Sequence, residues 1–219
     1  MTTQAGPHGH GDLASSLVLV VPVLLAYEIG VVFSHHVNGA DVITRGLYAV
    51  LGSRALYIAF HAAVAAAFVG WLVWTRRWST LRADVAAPVI LESAIYALTL
   101  GAVMSLVVER VLKMSLGGPG VIAALGAGVH EELVFRLALM SVVVAALRQR
   151  AVAVPIAIAL SAALFALAHH ANAGEPFTVH AFASRCVAGA AFALIFWYRS
   201  FAHAVYAHVF YDLVIAITS

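Results

Sequence analysis

Charged residues are scarce in this sequence. Asp, Glu, Lys and Arg make up 10% of its 219 residues, where a soluble domain has about 25%. Hydrophobic residues make up 63%, and the mean hydropathy is +0.99. A soluble globular protein is therefore excluded, and the composition predicts an integral membrane protein. The 12 Lys and Arg residues form no dense basic run, so no nucleic-acid partner is expected.

Cysteines and linker sequences are nearly absent as well. The single cysteine, Cys186, excludes a disulfide within the chain. No Pro-, Gly- or Ser-rich linker interrupts the sequence, which predicts one integral membrane domain over residues 1–219. The opening residues MTTQAGPHGHGDLASS contain no Lys or Arg, so the first apolar run is expected to be a retained helix rather than a cleaved signal peptide.

Long hydrophobic runs dominate what remains. A transmembrane helix needs about 20 mostly apolar residues. The runs of that kind cover residues 13–33, 55–75, 86–112, 120–147, 151–171, 179–198 and 201–218. The sequence therefore predicts an all-α, polytopic membrane helix bundle with about seven transmembrane helices. Six or eight remain alternatives, because the third run could end early and residues 112–120 could be re-entrant.

The basic residues give this bundle a modest orientation. If the helices alternate in direction, one side carries Arg76, Arg77, Arg82, Arg148, Arg150 and Arg199. The other side carries Arg45, Arg54, Arg110 and Lys113. Because cytoplasmic loops carry the excess of Lys and Arg, the N-terminus is predicted to be cytoplasmic and the C-terminus to lie outside.

Two adjacent carboxylates stand inside the fourth run. A charged side chain at the middle of a bilayer costs at least about 2.5–3.5 kcal/mol, so charges at that depth indicate function. Glu132 and Arg136 are four residues apart, share a helical face and can form an ion pair. Glu131 points about 100° away from Glu132 and is available for other chemistry.

Two later runs bring further polar groups to a similar depth. His169 follows Phe165 by four residues near the outer end of the fifth run. His208 precedes Asp212 by four residues near the middle of the last run. Each group alone has a structural interpretation, as an ion pair, an interfacial histidine or a hydrogen bond between neighbouring turns. Together with Glu131 at one depth, they predict a shared functional site.

Other ionisable residues receive no catalytic role from the sequence. Glu28 and Glu92 lie in apolar runs without an evident partner, and Arg185 could pair with a carboxylate near the outer face. The histidines interpreted as interfacial or packing residues are His35, His36, His61, His170, His180 and His203.

Several classes of intramembrane protease lack their motif here. A zinc protease of the HExxH type needs a second histidine, but Val134 occupies that position after His130 and Glu131. An aspartyl protease needs two intramembrane aspartates, and Asp212 has no counterpart within a clear span. No serine lies in a Gly-x-Ser-x-Gly context.

Three short motifs occur in order along the second half of the chain. They are EELVFR at 131–136, FALAH at 165–169 and HVFYD at 208–212. In type and order they resemble the motifs EExxxR, FxxxH and HxxxN/D of the CAAX-protease and bacteriocin-processing family. This family, abbreviated CPBP and also called Abi, contains the Ras-converting CAAX endopeptidase. The resemblance covers about residues 120–219 as a catalytic core, and the first three runs carry no matching motif.

The resemblance implies a glutamate-dependent intramembrane endopeptidase, which is a hydrolase. By analogy with the family, Glu131 and His169 bind and activate a water molecule that attacks a peptide carbonyl. His208 and Asp212 then stabilise the developing oxyanion. The residues implied to support the geometry and charge balance of the site are Glu132, Arg136 and Phe165.

Position 212 departs from the best-known eukaryotic members of the family, which have Asn there. The family pattern tolerates Asn or Asp. An ionised Asp212 cannot donate a hydrogen bond to an oxyanion. Asp212 is therefore also considered as a group that orients and charges His208.

The resemblance implies no metal cofactor. One Glu and two His side chains could also bind zinc, so a zinc-dependent membrane protease remains an alternative. The expected partners are the lipid bilayer and a peptide or protein substrate that enters from the membrane or its surface. Candidate substrates are a bacteriocin or pheromone precursor, a C-terminal sorting tag and a lipidated C-terminus. The implied location is a bacterial cytoplasmic membrane.

The competing interpretation is not enzymatic. A membrane immunity protein, scaffold or transporter could use the same polar cluster structurally, and the intramembrane carboxylates Glu28 and Glu92 leave an ion-relay role open. The sequence makes no prediction about oligomeric state.

Overall fold

The computed structural model describes residues 12–34, 42–104, 106, 120–147, 149–172 and 177–218. Every regular element in these ranges is helical, so the predicted all-α class is confirmed. Some sequence predictions fall outside the described residues. These are the end of the third run near residue 112, most of the re-entrant alternative at 112–120, and the placements of His35, His36, Arg110, Lys113 and Arg148.

The described residues form α-helices joined by short connections. The helices are α1 (Leu13–Ser34), α2 (Val42–Leu51), α3 (Arg54–Thr75), α4 (Ala83–Met104), α5 (Val121–Glu131), α6 (Ser141–Ala146), α7 (Arg150–Asn172), α8 (Val179–Tyr198) and α9 (Phe201–Thr218). A 3₁₀ turn, Arg77–Leu81, precedes α4, and a π-helical segment, Glu132–Met140, joins α5 to α6.

The long helical segments follow the predicted runs. Five helices of the described part, α1, α3, α4, α7 and α8, are long and apolar enough to cross a membrane. Helix α9 is apolar over the shorter stretch Phe201–Ile217, and the π segment divides the run that contains α5 and α6. The protein is therefore an integral membrane helix bundle. The predicted number of seven transmembrane helices is approximate. The short helix α2 was not predicted.

Side-chain caps fix several helix ends on the two membrane faces. The hydroxyl of Ser53 accepts from the backbone N–H of Leu56 at 3.2 Å where α3 begins. Before α1, Asp12 accepts from the N–H of Ala14 at 3.2 Å and forms an ion pair with Arg77. The hydrogen bond from Arg77 holds the pKa of Asp12 below its usual range. This pair joins the start of α1 to the connection between α3 and α4.

Helix α9 lies at the centre of the bundle and packs against α1, α4, α5 and α8. Glycines allow α5 to approach its neighbours closely, as is common between membrane helices. A Cβ atom on Gly128 would lie 2.4 Å from Val209 Cγ2 on α9, and one on Gly126 would lie 2.3 Å from Tyr27 Cε2 on α1. The segment that leads into the two adjacent glutamates is therefore held between α1 and α9.

This close approach predicts a stability difference between two glycine substitutions. Gly126→Ala should lower the free energy of unfolding by about 1–3 kcal/mol, because the added methyl group would overlap the fully buried ring of Tyr27. Gly70→Ala on α3 is the matched control, since nothing lies within 4 Å of its added Cβ. We expect the control to be neutral or more stable, because Ala is the better helix former. The apparent Tm in detergent measures both effects, and equal losses in the two variants would contradict this packing.

Candidate active site

The site lies where α5, the π segment, α7 and α9 meet. The sequence-predicted site residues that converge there are Glu131, Glu132, Arg136, Phe165, His169, His208 and Asp212. Glu132 and Arg136 have no solvent-exposed surface, and Glu131 and Asp212 expose 6% and 8% of theirs. The structure thus brings together every residue that the three motifs supply.

The centre of the site is an ion pair between Glu132 and Arg136. Arg136 Nη1 lies 2.9 Å from Glu132 Oε1, at the four-residue spacing that the sequence indicates. Arg136 Nη2 also donates a hydrogen bond of 2.9 Å to the carbonyl oxygen of Gly189 on α8. The pair therefore links the π segment to α8 and neutralises two charges that would otherwise be costly in a membrane interior.

Aromatic rings surround the guanidinium of Arg136. Its Cζ atom lies 4.5 Å from the ring centroid of Phe165, 5.7 Å from that of Phe192 and 5.9 Å from that of Phe135. The electron-rich faces of aromatic rings attract cations, most strongly where water is excluded. This arrangement gives Phe165 a physical supporting role, because its ring contacts both Arg136 and the imidazole of His169.

His208 is oriented by Glu132. His208 Nδ1 lies 2.8 Å from Glu132 Oε1. Glu132 Oε1 is also the ion-pair partner of Arg136 and acts as an acceptor, so the proton is assigned to His208 Nδ1. The ring of Phe192 stacks on the imidazole at 4.3 Å with an interplanar angle of 14°. His208 Nε2 consequently points to Glu131 Oε2 and Asp212 Oδ2, each at 3.8 Å.

The tautomer of His169 is set by its own helix. His169 Nδ1 lies 2.9 Å from the carbonyl oxygen of Phe165. A carbonyl oxygen can only accept, so the proton is on Nδ1. In the neutral ring, Nε2 is then an acceptor, and this atom lies 3.7 Å from Glu131 Oε2.

Glu131 differs from Glu132 in having no strong partner. Neither of its carboxylate oxygens has a hydrogen-bond partner among the described residues, although both oxygens are buried. Glu131 Oε2 faces two imidazole nitrogens at 3.7 and 3.8 Å, which is beyond direct hydrogen-bond range. The two adjacent glutamates are thus one paired carboxylate and one carboxylate available for chemistry.

Sequence reasoning missed several contributors to this site. Phe192 contacts both His208 and Arg136, and the carbonyl of Gly189 accepts from Arg136. Both belong to α8, which carries none of the three motifs, and no spacing in the sequence indicates them. Arg185, also on α8, was expected from the sequence to pair with a carboxylate, and it is close enough to Asp212 for their charges to interact.

The two carboxylates left without a partner in the sequence have partners in the structure. Glu92 on α4 contacts Arg199, and His203 Nε2 lies 3.4 Å from Glu92 Oε2. On α1, Glu28 Oε2 lies 3.6 Å from His61 Nε2. His61 and His203, interpreted from the sequence as interfacial or packing residues, thus lie beside these carboxylates. Their partners are on other helices, so sequence spacing could not pair them.

Within the described ranges, no group of three or more His, Cys, Asp or Glu side chains is arranged to hold a metal ion. Zinc ligands lie about 2.0–2.2 Å from the metal and are usually arranged as a tetrahedron. Independence of a metal remains a prediction, and the chelation experiment below tests it.

The ion pair predicts how the stabilities of the wild type, a single variant and a double variant compare. Arg136→Met should lower the free energy of unfolding by about 3–5 kcal/mol, because it leaves the carboxylate of Glu132 buried without its cation. The double variant Glu132→Gln/Arg136→Met removes both charges, while Gln retains an acceptor for His208. We expect its apparent Tm to return close to that of the wild type. A double variant as unstable as Arg136→Met would show that charge pairing is not the reason.

Comparison with known proteins agrees with the motifs. Residues 113–214 match the protein-family model described as "Rce1-like: Type II CAAX prenyl endopeptidase Rce1-like". No curated protein and no solved structure matches the chain. The matched range contains all the site residues described above and none of α1 to α4. Over residues 113–214 the chain is therefore similar to the CAAX-protease family, in agreement with the resemblance of the three motifs.

Proposed function

We propose that this protein is an intramembrane endopeptidase that cleaves a peptide bond with a water molecule activated by Glu131 and His169. One observation carries the proposal. Glu131 Oε2 and His169 Nε2 face each other at 3.7 Å, and neither Glu131 oxygen has a hydrogen-bond partner among the described residues. Two acceptors have no attraction for each other, but one water molecule can donate a hydrogen bond to each.

In the proposed reaction, this water is the nucleophile. Donating its protons to Glu131 and His169 directs an oxygen lone pair toward the substrate carbonyl carbon. Glu131 accepts one proton as the new C–O bond forms. The same proton then passes to the amide nitrogen as the C–N bond breaks, which yields a carboxylic acid and an amine. The proton balance needs no further reactant.

His208 is proposed to stabilise the oxyanion of the tetrahedral intermediate. Because Nδ1 donates to Glu132, only an imidazolium can also donate from Nε2. A cation at this position faces the developing negative charge in a site that excludes water, where such electrostatic stabilisation is most effective. Asp212 Oδ2, 3.8 Å from His208 Nε2, supports this cation and does not itself donate to the oxyanion.

The active site is proposed to open toward the outer face of a bacterial cytoplasmic membrane. Between the end of α3 and the start of α4 lie Arg76, Arg77 and Arg82, and Arg199 follows the end of α8. If successive membrane helices alternate in direction, these four arginines lie on one side of the membrane, as expected for the cytoplasmic face. Helix α5 begins on the opposite face at Val121, and Glu131 follows ten residues later, about 15 Å along the axis. A substrate would enter from the bilayer or its outer surface.

Substitution of the two water-binding residues tests the proposed chemistry. Glu131→Gln and His169→Asn should each lower kcat by about 10²–10⁴-fold, because each removes an acceptor needed for proton transfer. Matched controls are Glu92→Gln, an intramembrane carboxylate outside the site, and His180→Asn, an exposed histidine on α8. Cleavage of a prenylated CAAX peptide and of a set of membrane-spanning peptides can be followed by mass spectrometry. Retained cleavage in a folded Glu131→Gln variant would refute the mechanism.

Metal independence has a separate test. The wild-type protein should retain full cleavage activity after dialysis against a strong zinc chelator, because a carboxylate and an imidazole activate the water. The rate is compared with that of an undialysed sample and of a sample with zinc added back. Loss of activity on chelation with recovery on adding zinc would establish the zinc-dependent alternative instead.

A further inference from the structure

A second buried polar cluster lies beside the active site. It comprises Glu28 on α1, Tyr57 and His61 on α3, and His130 on α5, and is called the Glu28 cluster below. The hydroxyl of Tyr57 donates to Glu28 Oε2. His61 Nε2 lies 3.6 Å from Glu28 Oε2, and His130 Nε2 lies 3.5 Å from Glu28 Oε1. Glu28 and His130 expose 3% and 6% of their surfaces, so the cluster joins three helices inside the bundle.

The Glu28 cluster resembles the active site in the placement of a histidine beside a carboxylate, but its carboxylate has a hydrogen-bond donor. His61 Nδ1 lies 2.9 Å from the carbonyl of Tyr57, as His169 Nδ1 does from the carbonyl four residues before it. The oxygen of Glu28 that faces His61, however, already accepts from a phenol. Glu131 has no such donor among the described residues. The Glu28 cluster is therefore suited to holding helices together rather than to activating water.

The cluster contacts α5 immediately before the proposed base. His130 precedes Glu131 in the chain, and their side chains point about 100° apart around the helix. The ring of Tyr27, next to Glu28 on α1, packs edge-on against His130 with centroids 5.4 Å apart. Tyr27 also occupies the space that a side chain at Gly126 would need. Helix α1 thus contacts α5 through two successive residues, Tyr27 and Glu28, on the turn that ends at Glu131.

The backbone hydrogen-bond pattern changes at the end of α5. The N–H of Glu132 bonds to the carbonyl of Val129, one residue short of the α-helical pattern, and the wider π segment begins at Glu132. Such changes of helical pattern are frequent at functional sites, where they redirect side chains. A side-chain contact on a neighbouring face of α5, such as that of His130 with Glu28, can then help to set the direction of Glu131.

We infer that Glu28 is a positioning residue that, through His130, holds Glu131 in register with His169. This inference rests on the proposed function for its catalytic meaning. It extends the active site to α1 and α3, which lie outside the part of the chain that matches the CAAX-protease family. Glu28 does not touch the reacting atoms.

Kinetic variants test the inference directly. Glu28→Gln keeps the size of the side chain but removes the carboxylate that faces His130. We expect kcat to fall by about ten-fold or more with KM changed less than about two-fold, because small displacements of a catalytic group are costly. Glu92→Gln is the matched control, since Glu92 also contacts a tyrosine and a histidine but belongs to the opposite end of the bundle. Its kcat should change less than about two-fold.

A double variant tests whether Glu28 acts through His130. His130→Gln should reduce kcat by a factor similar to that of Glu28→Gln. The double variant Glu28→Gln/His130→Gln should lose no more than the larger single loss, because residues that act as one unit are not additive. Losses that multiply would overturn the inference, as would a Glu28→Gln effect that disappears once the rate is corrected for the folded fraction.

A measurement without substrate separates this inference from the proposed function. Apparent Tm values are compared for Glu28→Gln, His169→Gln and their combination. If Glu28 sets the geometry at His169, the shifts should depart from additivity by about 2–4 °C. For the control pair, the Tm shift of the combined Glu92→Gln/His169→Gln variant should equal the sum of the two single shifts. Additive shifts in the Glu28 series would refute the positioning role, whereas a wild type that cleaves no peptide would refute only the protease.

Discussion

The buried ion pair between Glu132 and Arg136 is the interaction on which the rest of the site depends. A lone carboxylate or guanidinium at this depth would be too costly for a folded bundle. Paired, they leave Glu132 as a fixed acceptor that sets the tautomer of His208. Phe165 and Phe192, which lie beside Arg136, also contact the imidazoles of His169 and His208, respectively. Glu132 thus has strong partners, whereas neither oxygen of Glu131 has a hydrogen-bond partner among the described residues.

The backbone brings these charges together by close approach and by a change of helical pattern. Gly126 and Gly128 allow α5 to lie against both α1 and α9. The π segment begins between the two adjacent glutamates, at Glu132, and their side chains have different surroundings. Glu132 meets Arg136 and α9, whereas Glu131 faces the imidazoles from α7 and α9. The chemistry of the motifs therefore depends on packing by residues that the motifs do not contain.

Sequence reasoning succeeded where one helix carries the information. Hydrophobic length located the long helices, and four-residue spacing paired Glu132 with Arg136 and His208 with Asp212. It failed where partners come from different helices, as for Glu28, or from a helix without motifs, as for Phe192. The π segment was also missed, because its residues have the composition of an ordinary membrane helix. The short helix α2 was not predicted, because the sequence was searched for runs long enough to span a bilayer and α2 has only ten residues.

In the proposed mechanism, Glu131 and His169 hold one water molecule between them. An experimental structure of the wild-type protein, at a resolution that shows ordered solvent, tests it most directly. Solvent density is expected within about 2.7–3.2 Å of both Glu131 Oε2 and His169 Nε2, with no anomalous signal at the zinc absorption edge. A metal ion at that position, or a direct Glu131–His169 hydrogen bond that leaves no room for water, would contradict it.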